Sequence, residues 1–167
     1  MTNIELLVMD VDGVLTDGML YYGANGELFK AFCAQDGAGI VMLQKAGVKT
    51  AIITARKTEI VTARAQELKI PYVFQGQHDK KTCLTNLLQQ LQIKAQNVAY
   101  VGDDVVDIPP MQMVGFGCTV ANAHPKVKAI CDFQSQFAGG KGAIREICDM
   151  LIAAKMSTMA ENDDVTV

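Results

Sequence analysis

Apolar and polar positions follow two periods along the chain. Residues 4–9 form a continuous apolar run, broken only by Glu5, that ends abruptly in acids. This is the pattern of a strand buried on both faces. Comparable short runs occur at 49–54, 71–74 and 97–102, with weaker ones at 115–120 and 130–133. Between them the period becomes helical. Leu84, Leu87, Leu88 and Leu91 fall at i, i+3, i+4 and i+7, the clearest amphipathic stripe in the chain. Asp36 is predicted to N-cap a helix running to Ala46, with Gly47 as its stop. A second helix is predicted over 57–68, with Ile60, Val61 and Leu68 turned inward. A last one is predicted over 142–154, with Ile144, Ile147, Cys148 and Leu151 on one face. Strands alternating with helices predict an α/β fold: a Rossmann-like parallel sheet with helices on both faces.

One segment departs from this alternation. In residues 20–32 two aromatic arms flank Gly23-Ala-Asn-Gly26, which predicts a β-hairpin over about 19–33, a flap directly after the first strand. Residues 157–167 are polar, acidic and aperiodic. The expectation is a single domain over 1–155 followed by a flexible tail at 156–167.

Composition narrows the class. A chain of 167 residues can bury a real core. A net charge of -3 argues against nucleic acid as a partner. No apolar run approaches the roughly 18–20 residues of a membrane span, and the N-terminus has no basic region before its apolar stretch. Neither a membrane nor a signal peptide is expected. The five cysteines are odd in number, widely spaced and without a C-x-x-C pair. They read as free thiols in a reducing cytoplasm, not as a zinc site or a disulfide framework.

In an open parallel sheet, ligands bind outside the carboxyl ends of the strands. The first predicted strand ends in Asp10-Val-Asp12-Gly13, the second in Thr54 and the fourth in Gly102-Asp103-Asp104, with Asp107 shortly after. Lys80 follows the third. Two acidic clusters at one sheet edge repel each other unless a cation neutralises them. An all-oxygen set suits magnesium, which keeps waters for a substrate phosphate. A hydroxyl and an ammonium at the same place can hold phosphoryl oxygens, so the constellation points to phosphoryl transfer. A signalling receiver domain gathers similar residues but takes its phosphate on an acid ending the third strand. Here that strand ends at Phe74-Gln75, and the receiver reading is rejected.

The pieces Asp10-Val-Asp12-Gly13-Val14-Leu15-Thr16-Asp17-Gly18, Thr54, Lys80 and Gly102-Asp103-Asp104-x-x-Asp107 resemble the four motifs of the haloacid dehalogenase superfamily. Asp36-Gly37, Ile53-Thr-Ala-Arg56, Gln75-Gly-Gln-x-x-Lys80, Tyr100-Val-Gly-Asp-Asp104, Ala123-His-Pro125 and Gly139-Gly-Lys-Gly-Ala143 narrow the likeness. They are similar to the 3-deoxy-D-manno-octulosonate 8-phosphate (KDO 8-phosphate) phosphatase family over about residues 4–154.

The resemblance implies magnesium-dependent hydrolysis of KDO 8-phosphate in lipopolysaccharide precursor synthesis, through an aspartyl-phosphate on Asp10. It implies Asp12 as general acid and then base. It assigns magnesium to Asp10, the backbone carbonyl of Asp12, and Asp103, with Asp104 and Asp107 orienting metal waters or Lys80. Thr54 and Lys80 would hold the phosphoryl group, and Arg56 and Arg64 the carboxylate of a sugar acid. Lys141 stands where the family often has Arg, and would act at a neighbour's site. The intervals from Gly13 to Thr54 and from Lys80 to Asp103 leave no room for a cap domain. In the resembling family a homotetramer closes the site instead, which makes Tyr21, Tyr22, Phe29 and Phe32 of the hairpin an expected interface. Ala55 stands where Gly is usual and Asn122 where Asp is commoner. The substrate stays open between KDO 8-phosphate and a nonulosonate (KDN or sialic acid) 9-phosphate. His78 and His124 read as turn or cap residues.

Overall fold

The computed structural model describes residues 3–163, with side chains through residue 157. Its strands in chain order are β1 (Leu6–Met9), β2 (Tyr21–Gly23), β3 (Gly26–Phe29), β4 (Lys49–Ile53), β5 (Tyr72–Phe74), β6 (Val98–Val101), β7 (Phe116–Thr119) and β8 (Phe133–Gln134). The helices are α1 (Ala34–Lys45), α2 (Glu59–Glu67), α3 (Lys80–Leu91), α4 (Ile108–Met111), α5 (Pro125–Lys128) and α6 (Ala143–Asp163). Six strands form one parallel sheet in the order β5-β4-β1-β6-β7-β8. The chain builds outward from β1 to β4 and β5, then returns to the other side for β6, β7 and β8. The reversal falls between β1 and β6, where such sheets open a crevice for ligands.

Alternation on β1 divides the core. Leu7 and Met9 join Ile40, Leu43, Val61, Ile144 and Ile147 on the face covered by α1, α2 and α6. Leu6 and Val8 join Leu84, Leu87, Leu88, Met111 and Val127 on the other face. All four β1 residues are fully buried, each contributing about 1.5–3 kcal/mol of apolar burial. Met9 is level with Ile52 of β4 and Val101 of β6. The residues just past these strand ends are therefore delivered to one edge.

The hairpin turns at Ala24-Asn25, with a register shift between Tyr21 and Tyr22. The rings of Tyr21 and Phe29 stack with centroids 4.4 Å apart. Phe32 packs against the core instead, while Tyr22, Leu28 and Phe29 are exposed.

Three readings change. Asp36 does not cap its own helix: α1 starts at Ala34 after Cys33. The buried carboxylate of Asp36 instead accepts from the amides of Gly142 (3.4 Å) and Arg145 (2.9 Å), capping α6. The packing of α1 beside α6 creates that partner, which no local pattern encodes. Secondly, α6 continues to Asp163, beyond the end read at 154; residues 164–167 of the expected tail lie outside the described residues. Thirdly, the weak run at 130–133 contributes only its last residue to a strand, because the amides of Ile130 and Cys131 bond back to Val127 and prolong the α5 turn. Among the described residues no helix is long and apolar enough to cross a membrane.

Candidate active site

Asp10 is the first residue past β1. Its amide bonds to the Val101 carbonyl (3.0 Å), which carries the sheet ladder one step further. One carboxylate oxygen accepts from the Val11 amide (2.7 Å), and the other lies 2.6 Å from Lys80 Nζ. Lys80 opens α3, whose N-cap is Asp79, accepting from the Thr82 amide at 3.0 Å. The Lys80 side chain runs inward through the protein and is almost wholly buried. It meets Asp107 Oδ1 at 2.8 Å.

Asp107 is saturated. Besides Lys80 it accepts from Tyr100 Oη (2.9 Å) and from the amides of Asp103 (3.1 Å) and Asp104 (3.3 Å). Gly102 makes this approach possible: a Cβ there would stand 2.2 Å from Asp107 Cβ. Gly13 is required for a similar reason. Its φ of +89° disfavours side chains, and a Cβ would fall 2.1 Å from Asp103 Oδ2.

Oxygens of Asp10, Asp103 and Asp107 lie within 4.8 Å of one another. Burial, then repulsion from Asp10 and Asp107, pushes the Asp103 carboxyl up to about 7. Burial also raises Asp10, aided by Asp107 and only partly opposed by Lys80. Burial works against the Lys80 charge, but Asp10 and Asp107 outweigh it and raise its pKa. One ammonium offsets one of three carboxylates, leaving a deficit that a divalent cation fits. The donors are all oxygen, which suits a hard ion. Asp107 is occupied by four donors and does not line the cleft over this cluster, whereas Asp10 and Asp103 do and could hold the ion.

A cleft of about 280 Å³ opens over this cluster. Asp10, Asp12, Thr54, Ala55, Arg56, Lys80, Asp103 and Asp104 line it, with Leu20 from the foot of the hairpin. Thr54 is anchored by its amide to the Phe74 carbonyl (2.9 Å). Asp104 caps the turn that follows it, accepting from the Val105 amide at 2.7 Å.

Asp12 faces the hairpin. It pairs with Lys30 and lies 3.7 Å from Arg56 Nε. Glu27 accepts from both cations, at 2.9 Å from Lys30 and 3.3 Å from Arg56. Tyr22 Oη accepts from Arg56 at 2.9 Å. Lys30 and Glu27 were not singled out by sequence patterning. The signal was a lysine inside an aromatic arm, Leu28-Phe-Lys-Ala-Phe32, at a place read as interface.

Two residues of the expected set are not brought to this cleft by the chain's own fold. Arg64, on α2, stacks on Phe32 (5.6 Å to the centroid), donates to the Cys33 carbonyl (3.4 Å) and pairs with Glu67 (2.8 Å). Lys141 lines a separate cleft with Gln35, Phe137 and Arg145. The resemblance pairs Arg64 with Arg56; in the chain's own fold Arg64 lies in the last turn of α2, against Phe32 and Cys33. Asn122 Oδ1 accepts from the Gly139 amide (3.0 Å), so the amide oxygen suffices where Asp is commoner. His124 caps α5, accepting from the Lys126 amide (3.1 Å), as its sequence position implied.

Residues 70–147 match the family model of haloacid dehalogenase-like hydrolases. The chain is 47% identical over 153 residues to the 3-deoxy-D-manno-octulosonate 8-phosphate phosphatase of Escherichia coli, covering 92% of this chain and 81% of the relative. The crystal structure of the Moraxella catarrhalis phosphatase of that name, in complex with magnesium, phosphate and KDO, superposes with a TM-score of 0.90 at 39% identity. It covers 98% of this chain and 94% of that one. The cobalt-bound phosphatase of Haemophilus influenzae gives a TM-score of 0.89 at 42% identity, over 92% and 90% of the two chains. By sequence and by fold, the chain belongs to the haloacid dehalogenase-like hydrolases and, within them, to the 3-deoxy-D-manno-octulosonate 8-phosphate phosphatase family.

Proposed function

We propose that the chain is a magnesium-dependent phosphatase that hydrolyses KDO 8-phosphate to KDO and phosphate through an aspartyl-phosphate on Asp10. The observation that carries this reading is the buried cluster of Asp10, Asp103 and Asp107 around Lys80, open to a cleft that also exposes Thr54 and Asp12. The relatives named for KDO 8-phosphate, one of them holding magnesium, phosphate and KDO, support the choice of substrate and metal.

Asp10 and Asp103, with the Asp12 carbonyl, would hold magnesium. When bound, the ion neutralises charge on the phosphoryl group and on the two acids. Thr54 and Lys80 hold non-bridging oxygens and stabilise the charge of the transition state. A carboxylate oxygen of Asp10 forms a bond to phosphorus as the bond from phosphorus to the sugar oxygen breaks. The carboxylic proton of Asp12 passes to that leaving oxygen. Asp12, now a carboxylate, takes a proton from water as the water oxygen bonds to phosphorus. The bond from phosphorus to Asp10 breaks, releasing phosphate and restoring the nucleophile. Asp107 fixes Lys80, and Asp104 stands at the rim to orient waters. Arg56 would meet the sugar-acid carboxylate. The exposed hairpin suits a homotetramer in which a neighbour closes the cleft, and five free thiols suit a reducing cytoplasm.

Phosphate release by the purified protein tests this, with KDO 8-phosphate compared against KDN 9-phosphate and sialic acid 9-phosphate. The expected result is the highest kcat/KM on KDO 8-phosphate, dependence on magnesium, and no turnover by Asp10→Asn. A higher kcat/KM on a nine-carbon substrate overturns the substrate, and activity in Asp10→Asn overturns the covalent route.

A further inference from the structure

We infer that Lys30, held by Glu27, is a positioning residue for Asp12, so that the hairpin sets the group that protonates the leaving oxygen. The inference rests on the phosphatase reading above and adds to it a residue outside the superfamily's four motifs.

Asp10 and Asp12 are fixed by different means. Asp10 is held by the sheet, the Val11 amide and Lys80. Asp12 lies two residues further along, past the end of β1, and among the described residues its side chain meets two cations. Lys30 engages Oδ1, whereas Arg56 Nε stands 3.7 Å from Oδ2, beyond hydrogen-bond distance, which leaves Oδ2 to carry the proton. Glu27 then closes the ring by bridging the same two cations. Two acids and two bases alternate around it: Asp12, Lys30, Glu27, Arg56. The bond from Lys30 to Oδ1 restricts rotation of the Asp12 carboxyl group and turns Oδ2 toward Arg56. That matters because a proton donor must sit within hydrogen-bond reach of the atom it serves.

Lys30 is otherwise an expensive residue. Its side chain is 1% exposed, and an ammonium withdrawn from water is tolerated only when paired. The hairpin could have used an apolar residue in that place. Lys30 does not line the cleft, whereas Arg56 does. It pairs with Asp12 and Glu27, and has no ion pair with Asp10, Asp103 or Asp107. Its effect on chemistry therefore passes through Asp12, which separates it from Arg56, a residue placed to touch substrate itself.

The leaving group supplies the test. The sugar oxygen of KDO 8-phosphate leaves as an alkoxide and needs a proton, whereas p-nitrophenolate leaves without one. kcat and KM are measured with magnesium for both esters in the wild type, Lys30→Met, Lys30→Arg, and the Glu27→Gln/Lys30→Met double variant, which removes one charge of each sign. Lys30→Met is expected to lower kcat/KM on KDO 8-phosphate by about 10²-fold, the scale of a misplaced catalytic group. Its kcat/KM on p-nitrophenyl phosphate, which reports the steps up to departure of the leaving group and not the later attack of water, should change by less than about 5-fold, a small part of that. Lys30→Arg should recover part of the loss, and the double variant should keep the contrast if Lys30→Met alone folds poorly. Equal losses of kcat/KM on both esters, or no loss on either, overturn the role of Lys30 while leaving the phosphatase reading intact. A wild type that hydrolyses neither ester overturns both.

Discussion

Lys80 Nζ sits 2.8 Å from Asp107 Oδ1, in a pair whose side chains are 1% and 0% exposed. Asp107 is the joint of the site: it also receives Tyr100 and the two amides that aim the loop carrying Asp103. Removing Asp107 would leave Lys80 paired with Asp10 but strand Tyr100 Oη and the two amides, at about 1–3 kcal/mol for each buried donor left unsatisfied. Asp107→Ala is expected to lose stability on that scale in urea unfolding, and phosphatase activity with it. Asp107→Asn keeps an acceptor for Tyr100 and should unfold at higher urea than the alanine variant. Equal midpoints for the two would deny that the hydrogen bonds to Asp107 contribute.

The acids that face each other across the cleft tie stability to pH. Asp103 rises from an ordinary 3.8 to about 7, mainly through burial. A folded state with the higher pKa binds more protons than the unfolded chain between those values. Stability of the metal-free protein therefore falls as pH rises from about 4 to about 7. Magnesium competes with those protons and offsets the repulsion. Its addition should raise Tm more at pH 8 than at pH 5, and binding should release protons, seen as a buffer-dependent heat in calorimetry. Asp103→Asn should flatten both effects. A magnesium shift in Tm that is the same at both pH values would contradict this linkage.

Much of this architecture was legible in the sequence because its signals are local. Apolar runs ending in acids located β1 and β6 together with Asp10, Asp12, Asp103 and Asp107. The Leu84, Leu87, Leu88 and Leu91 stripe located α3, and with it Lys80 at the helix start. What escaped notice was non-local. The Lys30–Asp12 and Glu27–Arg56 contacts join residues 18 and 29 positions apart, through a hairpin whose docking no periodicity encodes. Asp36 illustrates the same point: an acid beside a helix start reads as its cap, until a second helix, more than 100 residues on, presents its amides. The resemblance assigns Arg64 to the sugar-acid carboxylate, whereas within the chain its side chain is directed to Phe32 and Cys33.

Asp36 yields its own prediction. It is 1% exposed, and burial raises its pKa against the backbone amides that favour its charge. Asp36→Ala removes an N-cap, worth about 0.5–2 kcal/mol, and strands buried amides of α6. Asp36→Asn keeps an acceptor oxygen and should recover much of the loss. The contrast should be visible in chemical unfolding, and in faster hydrogen exchange at the start of α6 in the alanine variant. Exchange that is unchanged at residues 143–147 would refute the cap.

Lys141 poses the remaining question, because it lies in a cleft apart from Asp10 in its own chain. If it serves a neighbour's cleft in the proposed tetramer, two inactive lesions can repair each other. Asp10→Asn lacks a nucleophile but carries an intact Lys141, whereas Lys141→Ala carries the nucleophile but offers its neighbour no cation. Each homo-oligomer should be impaired: the first in kcat, the second mainly in KM if Lys141 binds the sugar acid. Dissociating and reassociating an equimolar mixture creates interfaces where an intact Asp10 faces an intact Lys141. Those clefts should turn over substrate with near-wild-type KM, while the rest remain impaired. The measurement is the appearance of a low-KM component after mixing, alongside light scattering of the mixed assembly. Kinetics equal to the average of the two separate variants would mean that Lys141 does not reach across subunits, and that the cation recognising the substrate is Arg56 within the chain itself.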